Sequence, residues 1–542
     1  MKSRAEILSS AELWAEHDFD PSSKAELLNL IDLAKHDVSV LDDLADRFSG
    51  PLEFGTAGLR AELGAGMARM NRATVAKAAW GLSTWMLAKN LDRLVIGHDA
   101  RCGSAQFALD TAEIASALGI KVFKLEPNLP TPVLAFAVKH LQANAGVMVT
   151  ASHNPAKDNG YKVYDQTGSQ IIGPTDKEIA HLISVSPLPN LIKRGGSFEV
   201  VEVLDSYLTE AIKNVNSQIP KDLKIAYTAL HGVGSKTFLA ACAKLGITKI
   251  FEVKTQANPD PEFPTVAFPN PEEAGALDQL LQIADQHGAD IAIANDPDAD
   301  RMGVAIPTKN GWRKLSGDEI GVILGWFKIE KLKELNLPLE GSMATSIVSS
   351  SLLSRIAEKN NIDFNFTLTG FKHIGRIPKL IYGYEEALGY AVDPQVVGDK
   401  DGITAALLMI ELVGWLKRKE LSIDQVLIQI QSEFGPCVTD HLTLRFASVL
   451  ETKYKFEQVV ANPPTQFGSL RITRTEDLKH GLDGLPATTG IYLQWAAGRA
   501  IIRPSGTEPK LKCYIEVSGE STLESALEQV AVVKGAMSAL FA

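Results

Sequence analysis

Apolar residues fall into two rhythms along this chain. Short continuous runs alternate with stretches in which apolar positions recur every three or four residues, the first expected of buried strands and the second of amphipathic helices. The opening is helical: Ser22 or Ser23 stands where a cap is expected before 24–35, and Leu27, Leu28, Ile31 and Leu33 follow at near-helical spacing. Further on, Leu94-Val95-Ile96-Gly97 reads as a buried strand, followed by a polar loop and a helix over 107–118. The same order returns at 223–227, with the loop Ala229-Leu230-His231-Gly232-Val233-Gly234, and again at 343–347 before a helix-like 350–358. Three α/β domains with mainly buried sheets are therefore expected. The copies share negligible identity, so the repeat is one of pattern alone.

The C-terminal part changes character. Strand-like pieces at 490–495, 500–502 and 511–517 precede one helical segment, 522–540, which predicts a smaller α+β domain. Pro- and Gly-bearing breaks near 184–196, 307–317 and 434–439 are the natural boundaries. They divide the chain into 1–204 (N-terminal helices plus the first α/β domain), 205–312, 313–436 and 437–542. A length of 542 residues, too great for one core, agrees with such a division.

Charge and cysteine usage narrow the partners. A formal net charge of −11 argues against nucleic acid or a membrane surface as partner, yet leaves room for small anions held by a local basic cluster. Cys102, Cys242, Cys437 and Cys513 are far apart without metal-ligand spacing, which suits a reducing compartment. The first residues lack the apolar run of a signal peptide, and no stretch approaches the roughly 20 apolar residues of a membrane span. A cytoplasmic monomer or small homo-oligomer acting on small molecules is the expectation.

Four loops carry the chemistry, each expected near the carboxyl end of a strand, where α/β sheets collect ligands. The first, Thr150-Ala151-Ser152-His153-Asn154-Pro155, follows the apolar run 145–149, and its small residues leave the Ser152 hydroxyl approachable. Neighbouring side chains in an extended loop point apart, so His153 is not expected to act directly on Ser152. The glycines of a hydrolase nucleophile elbow are missing. The second loop is Asp296-Pro297-Asp298-Ala299-Asp300-Arg301. In a straight strand its outer acids would stand about 13 Å apart. A magnesium shell spans only about 4 Å, so the loop must curl, for which Pro297 and Gly303 are suitable. Three hard oxygen donors favour Mg²⁺ over zinc.

The third loop combines Thr369-Gly370-Phe371-Lys372-His373 with Tyr384-Glu385-Glu386-Ala387-Leu388-Gly389-Tyr390 and Gly398-Asp399-Lys400-Asp401-Gly402. Glu385 and Glu386 suit vicinal sugar hydroxyls, while Lys372 and His373 suit a phosphate or a proton. The fourth is Arg503-Pro504-Ser505-Gly506-Thr507-Glu508-Pro509-Lys510. Its arginine, hydroxyls and backbone N–H groups, with Lys510, make a phosphate cradle.

Together and in this order the four loops resemble those of the α-D-phosphohexomutase family of phosphoglucomutases and phosphomannomutases, from Phe54 to the C-terminus. Phe54-Gly55-Thr56-Ala57-Gly58-Leu59-Arg60 is similar to the family's N-terminal signature. The resemblance implies four domains around a central cleft, three related α/β domains with mixed sheets and a smaller C-terminal α+β domain. It implies a phosphorylated Ser152, Mg²⁺ held by that group with Asp296, Asp298 and Asp300, and a sugar 1,6-bisphosphate as both intermediate and activator. Phosphoryl transfer between two positions of a sugar phosphate then rests on positioning and charge neutralisation. Arg503, Ser505, Gly506 and Thr507 would hold the phosphate that is not reacting, and Arg301 is expected to meet the substrate. Lys162, in Asn159-Gly160-Tyr161-Lys162, and Lys400 are candidates for proton transfer beside His153, whereas Arg60 suits charge stabilisation.

The sugar loop departs from the Glu-x-Ser of many hexomutases. Ala387 supplies no hydroxyl, and the stretches Asn258-Pro259-Asp260 and Asn270-Pro271-Glu272-Glu273 are more similar to the branch that includes phosphopentomutases. Phosphoglucomutase activity is the first expectation, with phosphopentomutase or phosphomannomutase activity beside it. A sugar-bisphosphate synthase, a phosphatase using an aspartate of the second loop, and a non-catalytic sugar-phosphate sensor are the rivals.

Overall fold

A computed structural model describes residues 3–55, 58–213, 215, 219–505 and 509–541. They form two compact units, residues 1–314 with 391–411, and residues 315–390 with 412–542.

The first unit opens with helices Arg4–His17, Pro21–Ala34 and Val38–Arg47. The second of these starts earlier than the serines suggest: Asp20 caps it, accepting from the Ser22 N–H at 3.2 Å, and Pro21 takes the first turn, where a missing N–H costs nothing. Ile7, Leu27, Ile31, Leu44 and Phe48 close a small core of their own, which also takes in Ala65.

A six-stranded mixed sheet follows. Its strands are β1 (Leu59–Glu62), β2 (Arg93–His98), β3 (Lys121–Leu125), β4 (Ala145–Val149), β5 (Asp158–Asp165) and β6 (Glu199–Val201), in the order β1-β5-β4-β2-β3-β6. β4 pairs parallel with β2 but antiparallel with β5, so the chain reverses just after Val149. Every residue of β4 is buried, which accounts for its continuous apolar run. The next sheet has the same plan. β7 (Ile225–Thr228), β8 (Ile250–Glu252), β9 (Ile291–Asn295), β10 (Met302–Thr308) and β11 (Gly311–Lys314) lie in the order β11-β10-β9-β7-β8. β9 runs parallel to β7 and antiparallel to β10. The Ser152 loop and the acidic loop thus occupy the same topological position, between a buried central strand and its antiparallel return.

In the second unit, β12 (Ser342–Ser346), β13 (Asp363–Thr367), β14 (Leu380–Glu385) and β15 (Gly389–Ala391) are ordered β13-β12-β14-β15, and the sugar loop joins β14 to β15. Helix Gly317–Glu334 starts with a reciprocal cap, Ser316 Oγ accepting from the Glu319 N–H and a Glu319 carboxylate oxygen accepting from the Ser316 N–H. A Cβ on Gly317 would stand 1.7 Å from the Glu386 carbonyl oxygen, so the helix start and the sugar loop touch backbone to backbone. Gly317→Ala is therefore expected to lower unfolding free energy by about 1–3 kcal/mol. Denaturant titration checks this, and an unchanged midpoint would contradict the packing.

The last sheet is antiparallel. β16 (Val438–Arg445), β17 (Gln466–Phe467), β18 (Leu470–Asp477), β19 (Ile491–Trp495), β20 (Gly498–Pro504) and β21 (Lys510–Val517) lie in the order β16-β21-β20-β19-β18-β17. Helices Val449–Ala461 and Leu523–Phe541 supply core residues Phe456, Val459, Val530, Val533, Met537 and Phe541. β16, β18 and helix Val449–Ala461 extend the expected set of elements. The two strands alternate inward and outward side chains, so neither presents an apolar run. The whole is a four-domain α/β architecture, three related α/β domains with mixed sheets and a C-terminal domain. Among the described residues no helix is long and apolar enough to cross a membrane.

Candidate active site

Ser152 is 2% exposed and has φ 52, a left-handed backbone that turns the chain directly after β4. The turn changes the expected relation with its neighbour. The Ser152 Oγ lies 3.2 Å from His153 Nδ1, because the segment is a turn and not the extended loop in which adjacent side chains diverge. Burial, then the charges of Arg301 and Arg60, hold the His153 imidazole well below its usual range, so it is uncharged at neutral pH.

The acidic loop curls as its chemistry requires. Asp296, Asp298 and Asp300 are each fully buried, and one oxygen of each lies within 4.8 Å of the others. The reversal falls at Ala299 (φ 53), whereas Gly303, expected to help the curl, sits inside β10 opposite Ala294. Asp296 Oδ2 accepts from Ser152 Oγ at 2.9 Å, and Asp296 Oδ1 from the Arg301 N–H at 3.1 Å. Lys162, on β5, donates to Asp298 Oδ2 at 2.7 Å and Asp300 Oδ2 at 3.0 Å. Lys400 Nζ stands 2.9 Å from Asp300 Oδ2. A Cβ on Gly402 would meet the Arg301 carbonyl oxygen at 2.4 Å, so its bare backbone lets the segment after Lys400 approach this loop.

The electrostatics separate the three acids. Burial, then the charges of Asp298 and Asp300, raise Asp296 well above the carboxylate range. Burial and Asp300 push Asp298 the same way, but Lys162 prevails and holds it low. Asp300 is buried too, yet Lys162, Lys400 and Arg301 together keep it ionised. Lys400 is raised in return: burial opposes its charge and is outweighed by Asp300 and Asp399.

The donor set fits a hard divalent cation. Asp298 Oδ1 and Asp300 Oδ1 are buried and accept no hydrogen bond among the described residues, the latter lying 3.9 Å from Arg301 Nε. Buried carboxylate oxygens without partners are costly. An all-oxygen set of this kind suits Mg²⁺.

Around it the first unit adds Thr131, Asp99 and Arg101, which the motifs do not mark, beside Arg60 of the N-terminal signature. Thr131 donates through Oγ1 to Asp298 Oδ2 at 2.7 Å and through its N–H to the Asp298 carbonyl at 2.9 Å. Arg60, on β1, donates to Asn154 Oδ1 at 3.0 Å, and burial lowers its pKa. Asp99 and Arg101 follow the buried strand β2. An acid and an arginine just past the carboxyl end of a parallel strand are the signal that would have found them.

In the second unit, Glu385 Oε1 accepts from the Gly370 N–H at 2.6 Å. Glu386 Oε2 turns to Ser346 Oγ at 3.1 Å and Ser349 Oγ at 2.9 Å. Lys372 and His373 lie on the short helix Phe371–Ile374. Arg503 is the penultimate residue of β20, with its Nε buried and without a hydrogen bond among the described residues. Ser505 donates its N–H to the Lys510 carbonyl at 2.8 Å. Gly506, Thr507 and Glu508, like Thr56 and Ala57 of the N-terminal signature, lie outside the described residues.

His373 offers a test of this unit. Burial, then Lys372 and Arg376, depress its pKa from 6.5 to about 4. The unfolded chain binds the proton more readily, so the stability due to neutral His373 is present above pH 6.5 and is lost as pH falls towards 4. His373→Gln should therefore melt closer to wild type at pH 7 and gain on it at pH 4.5; parallel melting curves across that window would contradict the shift.

Comparison with known proteins follows this geometry. Models of the phosphoglucomutase/phosphomannomutase α/β/α domains I, II and III match residues 51–186, 205–311 and 316–432, and the C-terminal domain model matches 495–532. A Haemophilus influenzae protein named "Probable phosphomannomutase" is 40% identical over 83% of this chain and 93% of its own. Human phosphopentomutase is 36% identical over 88% of this chain and 86% of its own. The crystal structure of Paramecium pp63/parafusin, a phosphoglucomutase, superposes with a TM-score of 0.70 at 19% identity, covering 90% of this chain and 95% of that one, a likeness of fold. With all four domain models matched in order and relatives aligned over most of its length, the chain belongs to the phosphoglucomutase/phosphomannomutase family, phosphotransferases that isomerise sugar phosphates.

Proposed function

We propose that this chain interconverts the 1-phosphate and the terminal (5- or 6-) phosphate of a hexose or pentose through phospho-Ser152 and a sugar bisphosphate, with glucose 1-phosphate as principal substrate. The observation that carries the reading is Ser152 Oγ at 2.9 Å from Asp296 Oδ2, at the edge of a buried carboxylate triad suited to Mg²⁺. A serine without that triad would be an ordinary turn residue.

In this reading, phospho-Ser152 gives its phosphoryl group to the free hydroxyl of the bound monophosphate. The bond from phosphorus to the serine oxygen breaks as the bond to the sugar oxygen forms. The bisphosphate then turns end over end, and the phosphoryl group from the other position returns to Ser152. The proton of the attacking hydroxyl passes to His153, which keeps a lone pair at neutral pH because burial disfavours its imidazolium form. Lys162, an ammonium held by Asp298 and Asp300, is the candidate to supply a proton to the departing serine oxygen. Arg60, Arg301 and Lys400 offset the charge that moves between oxygens. Asp296, Asp298, Asp300 and an oxygen of phospho-Ser152 would hold the Mg²⁺, which supplies Lewis-acid charge to the transferring group. Glu385 and Glu386 meet sugar hydroxyls. Lys372, His373, Arg503, Ser505, Gly506, Thr507 and Lys510 are assigned to the phosphates, and the buried Arg503 Nε, without a hydrogen bond among the described residues, supports that assignment. A glucose 1,6-bisphosphate activator primes Ser152.

A pentose 1-phosphate is the second reading. Ala387 withholds a hydroxyl from the sugar loop, and the human relative named phosphopentomutase aligns over 88% of this chain. With Mg²⁺ and a trace of glucose 1,6-bisphosphate, ³¹P NMR of glucose 1-phosphate and ribose 1-phosphate side by side tests both. Faster conversion of glucose 1-phosphate supports the first reading and faster ribose conversion the second. Accumulating bisphosphate without isomer would favour a synthase, and binding without turnover a sensor.

A further inference from the structure

A single guanidinium holds the backbone of the Ser152 loop. Arg101 is 4% exposed, and its Nη1 donates to the carbonyl oxygens of Pro155 at 2.8 Å and Asp158 at 3.1 Å. Its Nη2 donates to those of Ser152 at 2.7 Å and Asn154 at 2.5 Å. The four terminal N–H groups are thus taken by loop carbonyls, so the side chain acts on the backbone and not as a ligand for substrate phosphate. Ser152 needs such support. Its φ of 52 is a conformation that residues with a Cβ rarely hold unless their surroundings impose it. Its N–H donates to Thr150 Oγ1 at 2.9 Å and its carbonyl accepts from Arg101, which fixes the peptide on both sides.

Arg101 is itself held from two directions. Its N–H donates to Asp99 Oδ1 at 3.0 Å, and its Nε lies 3.5 Å from Asp99 Oδ2. Its guanidinium stacks over the Phe263 ring, 4.9 Å from the centroid. Phe263 comes from the second domain, in Asn258-Pro259-Asp260-Pro261-Glu262-Phe263-Pro264-Thr265, a stretch to which the chemistry above gives no role. It too is strained, with φ 46 and 4% exposure. The segment is anchored to the loop after β7: the Asp260 N–H donates to the His231 carbonyl at 3.0 Å, and His231 Nε2 lies 2.8 Å from Thr265 Oγ1, which also accepts from Gln256 Nε2 at 2.8 Å. Two strained residues, one in each domain, therefore meet across one arginine.

We propose that Arg101, seated on Phe263, is a positioning residue that keeps Ser152 in its left-handed conformation, so that the 258–265 segment of the second domain sets the competence of the phosphoserine in the first. The proposal rests on the reading of Ser152 as the phosphorylated residue. Phe263→Leu keeps apolar bulk while removing the aromatic face, and Arg101→Lys keeps the charge while losing the fork. Both are tested in the full chain with Mg²⁺ and a bisphosphate primer. The readouts are steady-state kinetics on the faster of the two sugar 1-phosphates, single-turnover transfer from phosphorylated enzyme, and amide hydrogen exchange over 151–158.

Misplacing the loop should lower kcat and the transfer rate together, by roughly 10- to 100-fold in Phe263→Leu and more in Arg101→Lys, with KM within about threefold of wild type. Exchange over 151–158 should quicken in step, with the melting temperature little changed. Wild-type transfer in Phe263→Leu, or a loss confined to KM with unaltered exchange, overturns the proposal. Should Arg101→Lys fail to fold, Phe263→Leu decides alone. Full turnover by Ser152→Ala would instead sink the phosphoserine reading, and exchange over 151–158 in Phe263→Leu still reports on the clamp, quickened exchange upholding it and unaltered exchange overturning it.

Discussion

Ser152→Ala should abolish isomerisation, with kcat down on the order of 10⁵-fold or more, as expected when the group that carries the transferred moiety is removed. The loss should be one of chemistry. Alanine is smaller than the 2%-exposed serine, and the variant gives up only the 2.9 Å hydrogen bond to Asp296 and the 3.2 Å contact with His153. Asp296 keeps the Arg301 N–H as donor, so a cooperative melt close to wild type is expected. Sugar phosphate should still bind, because the groups assigned to its phosphates lie in other loops. The mutant should also fail to take label from glucose 1,6-bisphosphate. Residual turnover within tenfold of wild type would move the nucleophile to the acidic loop, the reading in which an aspartate attacks phosphorus. Coupled assays of phosphate release and isomer formation distinguish the two.

The second large effect is that of the metal. Exhaustive chelation should lower kcat by on the order of 10³-fold or more, with recovery on adding Mg²⁺, because the triad then faces the transferring phosphoryl without the charge that offsets it. The chelated protein should nevertheless stay folded. Lys162 lies 2.7 and 3.0 Å from Asp298 and Asp300, and Lys400 lies 2.9 Å from Asp300, so two ammonium groups already compensate much of the buried charge. Adding Mg²⁺ at about a hundredfold over its dissociation constant should stabilise the fold by about 2.7 kcal/mol, read as a rise in melting temperature. Asp298→Asn should abolish both the activation and the rise. Full activity after chelation, verified by elemental analysis, would contradict the assignment of the triad.

What could be read from residues alone was whatever depended on local pattern. Fully buried strands such as Ala145–Val149 and Ile291–Asn295 announce themselves as apolar runs because helices cover both faces of their sheets. Three acids at alternate positions must curl to share one cation, since a straight strand would hold the outer two too far apart, and the curl is present, though at Ala299 and not at Gly303. What stayed hidden depends on tertiary context. The left-handed turn at Ser152 is imposed by Arg101 from another loop, so nothing local predicted that His153 would reach the hydroxyl. Thr131 meets Asp298 across a separation of 167 residues, which no window detects. The half-exposed strands Val438–Arg445 and Leu470–Asp477 alternate polar and apolar residues and lack the continuous run by which the buried strands were found.

One measurement bears on the central claim most directly. The Mg²⁺-loaded protein is incubated with glucose 1,6-bisphosphate, digested and mapped by mass spectrometry, and a second aliquot is chased with excess glucose 1-phosphate before digestion. The account predicts a single phosphoryl group on Ser152 that disappears in the chase as bisphosphate forms. A phosphoryl group on another residue, or one on Ser152 that the sugar phosphate cannot remove, would contradict it.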